Sequence, residues 1–430
     1  MRRPSAAARA FIFLASSVQT TVTTEPILAM RSVFGAALAK FLFLFAFLYG
    51  GFGVHSPFFP SFLSARGLEA EAIGLVLATG TAIRLVAAPV AGQIADRFEA
   101  SRTVLALSLS AAALVALGYL TAWGFWPLLL MGLVSAAALA PLAPLADALA
   151  LGAAERLDAT GCRAFDYGWV RGAGSAAFIA GSILSGQVIG RFGLTAIVVL
   201  QAGLFAVACL FAFRVPEQRL PTAYDIPSPS SSAGSAHGIR LLLAIPLYRR
   251  IVLVTALVFG SHAMHDSFAV IRWRGAGIDP ESISLLWSES VAAEVVIFFF
   301  IGPRLLDRLG PARAAALCAA AGALRWVVMS QTAWVPALML VQPLHGLTFA
   351  FLHLACMRLL SEIVPSSLAA TALSVYGTLG AGMASVLLTL ASGPLYSRLG
   401  PTGFLVMAAL CAVAAPIALT LRLPAESRNR

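Results

Sequence analysis

Apolar runs of about 20 residues, each long enough to cross a ~30 Å hydrocarbon core as a helix, recur twelve times in this sequence. They fall near 34–58, 72–94, 103–123, 125–150, 166–189, 194–213, 249–272, 282–302, 312–331, 334–358, 367–391 and 402–421. In a bilayer every backbone N–H and C=O must be satisfied within the protein, so a run of this length reads as a helix. The alternating ~10-residue strands of an outer-membrane barrel are a different pattern. Hydrophobic residues make up 60% of the chain and charged residues 11%. A soluble protein carries about 25% charged residues, so this one has too little polar surface for a water-soluble globule. The expected fold class is all-α and polytopic, with 12 transmembrane helices.

The gaps between runs are short except at 214–248, where Asp225-Ile-Pro-Ser-Pro-Ser-Ser-Ser-Ala-Gly-Ser reads as a flexible linker. It divides the chain into a tail expected to be disordered (1–33), a six-helix bundle (34–213), the cytoplasmic linker, a second bundle (249–421) and a short cytoplasmic tail (422–430). The start at Met1 or at Met30 is left open: Arg2 and Arg3 before Phe11-Ile-Phe-Leu resemble a signal-peptide start, but the apolar run is short and no A-x-A-like site follows. With the N-terminus in the cytoplasm, 20 arginines fall in cytoplasmic segments and five outside (66, 191, 272, 274, 398). That positive-inside asymmetry orients both termini to the cytoplasm of a bacterial inner membrane.

The formal net charge is +10. Its basic residues sit in the gaps between runs, as topology-setting charges do, rather than in a nucleic-acid-binding patch. The five cysteines (Cys162, Cys209, Cys318, Cys356, Cys411) are scattered without a CxxC and read as small apolar fillers. No Walker motif, G-x-S-x-G or metal-ligand cluster stands in the sequence, so neither an enzyme nor a cofactor is expected.

Two motifs repeat at nearly one offset. Gly92-Gln-Ile-Ala-Asp96-Arg97 after the second span matches Gly302-Pro-Arg-Leu-Leu-Asp307-Arg308 after the eighth, the Asp-Arg pairs being 211 positions apart. Gly186-Gln-Val-Ile-Gly-Arg191 matches Gly393-Pro-Leu-Tyr-Ser-Arg398 at an offset of 207. The halves therefore read as structural copies. The two Asp-Arg turns (Gly92, Asp96, Arg97; Gly302, Asp307, Arg308) suit a charged latch that closes one conformation and releases in the other. A loop charge cluster would use the same residues.

Twelve spans in two copies, a central linker and G-x3-4-D-R turns resemble the major facilitator superfamily over residues 34–421. Within it, Pro144-Leu-Ala-Asp147-Ala-Leu, Asp166-Tyr-Gly-Trp-Val-Arg171, Gly260-Ser-His262-Ala, Leu286-Trp287-Ser288 with Ala293-Glu294-Val, Arg325-Trp326, and Leu344-His345 through Thr348-Phe349 to His353-Leu-Ala-x-Met357-Arg358 resemble the 3-phenylpropionate permease branch, itself similar to lactose permease. The resemblance implies two pseudo-symmetric six-helix bundles that rock about a midplane cavity. Lactose permease is similar in carrying an arginine and a histidine where Arg325 and His345 stand, with a carboxylate on the eighth span. Its glutamate three residues after the histidine is replaced here by Thr348. The branch tends to have tyrosines at His265 and Asp266, an apolar residue at Glu289 and a tryptophan at Ala173; these departures fall near the expected cavity, so phenylpropionate and a different ligand both stay open.

Ionisable groups inside a bilayer cost several kcal/mol unless paired or hydrated, so each is a functional candidate. At ~1.5 Å rise per residue, Glu294, Arg325 and His345 lie ~15–18 Å in from the membrane rims on three successive spans. They are the proton-coupling candidates, with Glu294 as carrier; a static ion pair is the alternative. Asp147 and Arg171 are placed on adjacent spans, where they would pair with each other or meet the substrate, Arg171 holding a carboxylate. His262 and Asp266, four apart on one helix face, complete the substrate-binding candidates with Glu289 and His353; His353 is expected on the same side as His345. His265 and Asp266 lack a third metal ligand. Arg84 and His55 read as packing residues near the outer half of the cavity. The function expected is proton-coupled uptake of a small organic acid, aromatic in the phenylpropionate manner, by a monomer whose partners are substrate, proton and lipid. An exporter of drugs or metabolites on the same fold, and a non-transporting receptor, are the alternatives.

Overall fold

The computed structural model describes residues 24–155, 164–217 and 232–422. Residues 1–23 of the expected tail, 218–231 of the expected linker, 423–430 at the C-terminus and Cys162 lie outside the described residues. Ten stretches are long and apolar enough to cross a membrane. The last, Ser366–Leu419, holds two helices, and Ala196–Ala212 is a shorter apolar helix, which brings the described number to twelve.

They run α1 Thr24–His55, α2 Ala70–Arg97, α3 Ser101–Gly118, α4 Phe125–Ala154, α5 Tyr167–Phe192 and α6 Ala196–Ala212 in the first half; α1 thus takes in residues 24–33 of the tail expected to be disordered, whose run Pro26-Ile-Leu-Ala-Met continues the apolar helix upstream. The second half holds α7 Pro246–Gly275, α8 Pro280–Leu309, α9 Pro311–Gln331, α10 Val335–Ile363, α11 at 369–399 and α12 Phe404–Leu419. Within the segment expected as linker, Ser232–Ala244 is helical.

Several helices are interrupted, and each break has a local cause. Pro141, which has no N–H to continue the ladder, divides α4. In α7 the break falls at Ser261 and His262, whose side chains bond the freed carbonyl of Val258 at 2.6 and 3.0 Å. π-helical turns stand at Ile297–Ile301 in α8, Leu347–Phe351 in α10 and Tyr376–Met383 in α11; such turns insert a residue and rotate everything that follows. Asp279 caps α8, accepting from the backbone N–H and the hydroxyl of Ser282 at 2.8 Å each. Those bonds hold its carboxyl below the ordinary range.

The hydrophobic cores divide unequally. At the end formed by His55, Ala70, Gly275 and Pro280, one core is common to both halves: Val54, Phe62 and Ile73 share it with Met264, Phe268 and Trp287. At the opposite end each half has its own, one built on Phe45, Leu105 and Leu149 and the other on Val254, Phe351 and Leu359. The molecule is thus closed at the first end and parted at the second. The closed end is sealed by backbone-close contacts. A Cβ on Gly74 of α2 would stand 3.0 Å from Gly393 Cα of α11, and one on Gly186 of α5 would stand 2.5 Å from the Pro280 carbonyl of α8. Ser397 Oγ also donates to Glu71 Oε1 across this seam at 3.0 Å. At the parted end Arg102 pairs with Glu217 at 3.3 Å and Arg358 with Asp307 at 3.6 Å, each within one half; none of the ion pairs among the described residues crosses between the halves. Trp123, Trp126 and Trp334 are exposed at the closed end, where amphipathic rings suit a membrane interface.

Candidate functional site

Four helices of the second half converge on Arg325, which is fully buried in α9. Its Nη1 lies 3.0 Å from His345 Nδ1 on α10, and its Nη2 lies 2.6 Å from Gln342 Oε1 and 3.2 Å from His265 Nε2 on α7. The guanidinium stacks on the next residue, its Cζ 4.6 Å from the Trp326 ring centroid. Trp326 is itself held by donating Nε1–H to Ser261 Oγ at 2.9 Å, so the break in α7 positions the platform under the guanidinium.

A guanidinium donates and never accepts, and a neutral imidazole has one donor and one acceptor nitrogen. Both imidazoles therefore turn an acceptor toward Arg325 and carry their proton on the far nitrogen. His345 presents Nε2–H to Glu294 Oε1 on α8 at 2.7 Å. His265 presents Nδ1–H to Asp266 Oδ1 at 3.0 Å. The result is a line of groups, Glu294–His345–Arg325–His265–Asp266, with a carboxylate at each end. Asp266 is the accessible end, its side chain 60% exposed, against 21% for Glu294. His265 stacks on Trp287 with centroids 5.0 Å apart. Gln342 is fully buried and also meets Ser290 Oγ at 3.3 Å.

The structure brings Glu294, Arg325 and His345 together and adds Asp266, His265 and Gln342 to them. His262 is in the next shell: Nδ1–H bonds the Val258 carbonyl, and Nε2 faces Thr348 Oγ1 at 2.9 Å. His353 is elsewhere. The π-helical turn between it and His345 rotates the later half of α10, and its ring lies among Phe298 and Tyr376, with centroids 6.1 Å away in each case. The expected common face of the two histidines is not present. Glu289 also turns away from the cluster. It lines a groove of about 430 Å³ with Ile179 of α5, Leu285 of α8 and Met339 of α10.

In the first half, Asp147 and Arg171 do not bond each other directly. Two tyrosines intervene: Tyr167 donates its hydroxyl to Asp147 Oδ1 at 2.8 Å, and Arg171 donates to the hydroxyl of Tyr49 on α1 while lying over that ring. At the parted end Asp96 and Arg97 are exposed and Gly92 has open space beside it. Asp307 reaches Arg358, Gly302 packs close to Leu354 of α10, and Arg308 lines a surface cleft with Arg313 and Arg422. No group of three or more metal-ligating side chains occurs among the described residues.

Three residues of this arrangement were not singled out from the sequence. Gln342, Tyr49 and Tyr167 are neutral, so their burial costs far less than that of a charge and depth arithmetic passes over them. A polar amide one helical turn before His345 was the available clue to Gln342.

Comparison with known proteins gives one consistent picture. The sequence profile of the MFS_1 like family matches residues 37–406. The chain is 31% identical over 386 residues to a probable 3-phenylpropionic acid transporter of Escherichia coli (strain K12), covering 89% of this chain and 96% of that one. It is 23% identical over 390 residues to the maltose permease of Geobacillus stearothermophilus, covering 90% and 95%. Among solved structures, the nucleoside transporter NupG superposes with a TM-score of 0.76 at 16% identity, over 90% of this chain and 98% of that one. A D-xylose-proton symporter does so with a TM-score of 0.65 at 13% identity, over 93% and 99%; at these identities the likeness speaks for the fold.

Proposed function

The chain belongs to the major facilitator superfamily, as a transporter of the 3-phenylpropionate permease branch and not an enzyme, and from that premise we propose that it takes up a small organic acid together with protons. The observation that carries the reading is the contact of Glu294 with His345 at 2.7 Å, joined to Arg325 at 3.0 Å. A carboxylate, an imidazole and a guanidinium so arranged at mid-membrane depth can bind a proton in one conformation and release it in another. Glu294 is the carrier. His345 holds the carboxylate through a tautomer that Arg325 fixes. Rocking of the halves leaves these contacts in place and alternates which side of the membrane the cluster is open to, and with that its hydration and its proton affinity.

The sealed end carries the expected outer residues 66, 191, 272, 274 and 398, and the parted end the expected cytoplasmic ones. This supports reading the structure as the inward-facing state of a bacterial inner-membrane protein with both termini in the cytoplasm. Asp96 stands exposed at that parted end, as a released latch would. The monomer has the whole cluster within one half, so no second copy is needed to complete it. The two bundles, 34–213 and 249–421, would move as the rocking units.

Purified protein in liposomes tests the reading. With an acidic exterior, labelled 3-phenylpropionate or another small carboxylate should accumulate, and collapsing the gradient should abolish accumulation. Uptake that ignores the gradient removes proton coupling. Net movement only outward, in exchange for protons, favours the exporter.

A further inference from the structure

We propose that Arg84 on α2 is the anion anchor of the cavity, holding the carboxylate of the transported acid. The proposal rests on the reading of the cargo as an organic acid and adds the residue that recognises it. Arg84 is fourteen positions after Ala70 and thirteen before Arg97, which is about 20 Å from either end of the helix. A charge at that depth is costly unless paired or hydrated.

The other two guanidiniums near mid-span are provided for by the protein. Arg325 has two imidazoles and an amide within hydrogen-bond distance, with Asp266 and Glu294 behind them. Arg171 has the Tyr49 hydroxyl and the nearby charge of Asp147. Arg84 has neither a hydrogen bond nor an ion pair among the described residues. The ionisable groups within electrostatic reach of it are the Tyr119 phenol and the His55 imidazole, and neither is a carboxylate.

The exposed Arg84 side chain faces inward. Positions two apart on a helix point to opposite sides, and Val86 is 63% exposed on the outer surface of α2. Gly80, one turn earlier, packs toward Ala136 of α4, and Leu85 approaches Gly382 of α11 across the interface. The guanidinium stands between those two directions, within electrostatic reach of His55 on α1 and of Tyr119. His55 adds a second open valence: its buried Nδ1 has no hydrogen-bond partner. A guanidinium directed inward at mid-depth, with no carboxylate bonded to it among the described residues, suits an anionic group brought by the ligand, and a planar carboxylate matches its bidentate fork. The anion would then be held by the first half and the proton by the second, so that closure around the cargo needs both.

The test is the preference of the purified protein for 3-phenylpropionate over its neutral amide, 3-phenylpropanamide, measured by calorimetry on wild type, Arg84→Lys and Arg84→Gln. One charge-assisted contact corresponds to about ten- to a hundredfold in affinity. Arg84→Gln should weaken binding of the acid by that factor while leaving the amide unchanged, and Arg84→Lys should fall between. The melting temperature of the ligand-free Arg84→Gln protein should not drop, because an unpaired charge is removed. Survival of the acid-over-amide preference in Arg84→Gln overturns the anchor while leaving the organic-acid reading intact. A loss equal for both ligands, together with a lower melting temperature, makes Arg84 a packing residue. A wild type that shows no preference for the acid, or for benzoate and acetate over their amides, overturns the organic-acid reading and the anchor with it.

Discussion

His345 Nε2 lies 2.7 Å from Glu294 Oε1 because the opposite nitrogen of the same ring accepts from Arg325 at 3.0 Å. The imidazole is a spacer with a fixed polarity. It lets the guanidinium act on the carboxylate without touching it, and it makes the bond to Glu294 one that strengthens when the carboxylate is charged.

If Glu294 carries the proton as proposed, Glu294→Gln replaces it with a group that never releases one. Concentrative uptake driven by a pH gradient should be abolished, while exchange of labelled for unlabelled substrate between equilibrated compartments should persist. Both assays on the same preparation decide the point. Concentrative uptake surviving with normal pH dependence assigns the proton elsewhere.

Arg325→Met removes the common donor of His345, His265 and Gln342, leaving their acceptors unmet in a buried site. Loss of one partner of a buried charge network costs about 3–5 kcal/mol. The variant should therefore melt well below wild type and express poorly. Unchanged thermal stability would show that the guanidinium contributes nothing to holding α7, α9 and α10 together.

Asp96→Asn should slow transport more than Glu99→Gln, because only Asp96 belongs to the repeated turn. Its carboxylate is exposed in the parted state, so stability should be unaffected and the loss should appear in the rate of the cycle. Equal rates in the two variants would reduce the turn to loop chemistry.

A reporter fused after Arg240 should be cytoplasmic, and one fused after Gly277 external, following the arginine asymmetry. Labelling with a membrane-impermeant thiol reagent at single cysteines introduced at these sites gives the same answer independently. An external residue 240 inverts the map and with it the assignment of the parted end.

Asp279→Ala should cost about 1 kcal/mol, the usual worth of an N-terminal cap. The native carboxyl titrates below its unfolded value, so its contribution is full above the unfolded pKa of about 3.9 and is lost as pH falls through the folded one. A wild-type-to-variant difference in melting temperature should be present at pH 7 and shrink at pH 3.

Much of this architecture is written in the spacing of apolar runs, since the bilayer penalises any other arrangement. Glu294, Arg325 and His345 were legible for the same reason: charges at one depth on neighbouring helices have few ways to be satisfied except by one another. What escaped the sequence follows from forces too weak to leave a pattern. Tyr49 and Tyr167 take up Arg171 and Asp147 because phenols pack as well as they bond. The π-helical turn that turns His353 away from His345 requires no particular residue. The helix Ser232–Ala244 hides in a composition of serine, glycine and alanine that reads as linker.

The unbroken line of hydrogen bonds from Glu294 to Asp266 has the look of a proton wire, yet it conducts nothing. A proton hopping along a chain needs every member to accept before it gives, and the guanidinium at its centre has no lone pair to offer. Arg325 is an insulator set between two proton-binding ends. If the chain is coupled to protons as proposed, an uninterrupted chain between the two carboxylates would give the gradient a path that bypasses transport. With Arg325 in the middle that path is closed, and on the proposed reading protons cross only with the turnover of the protein.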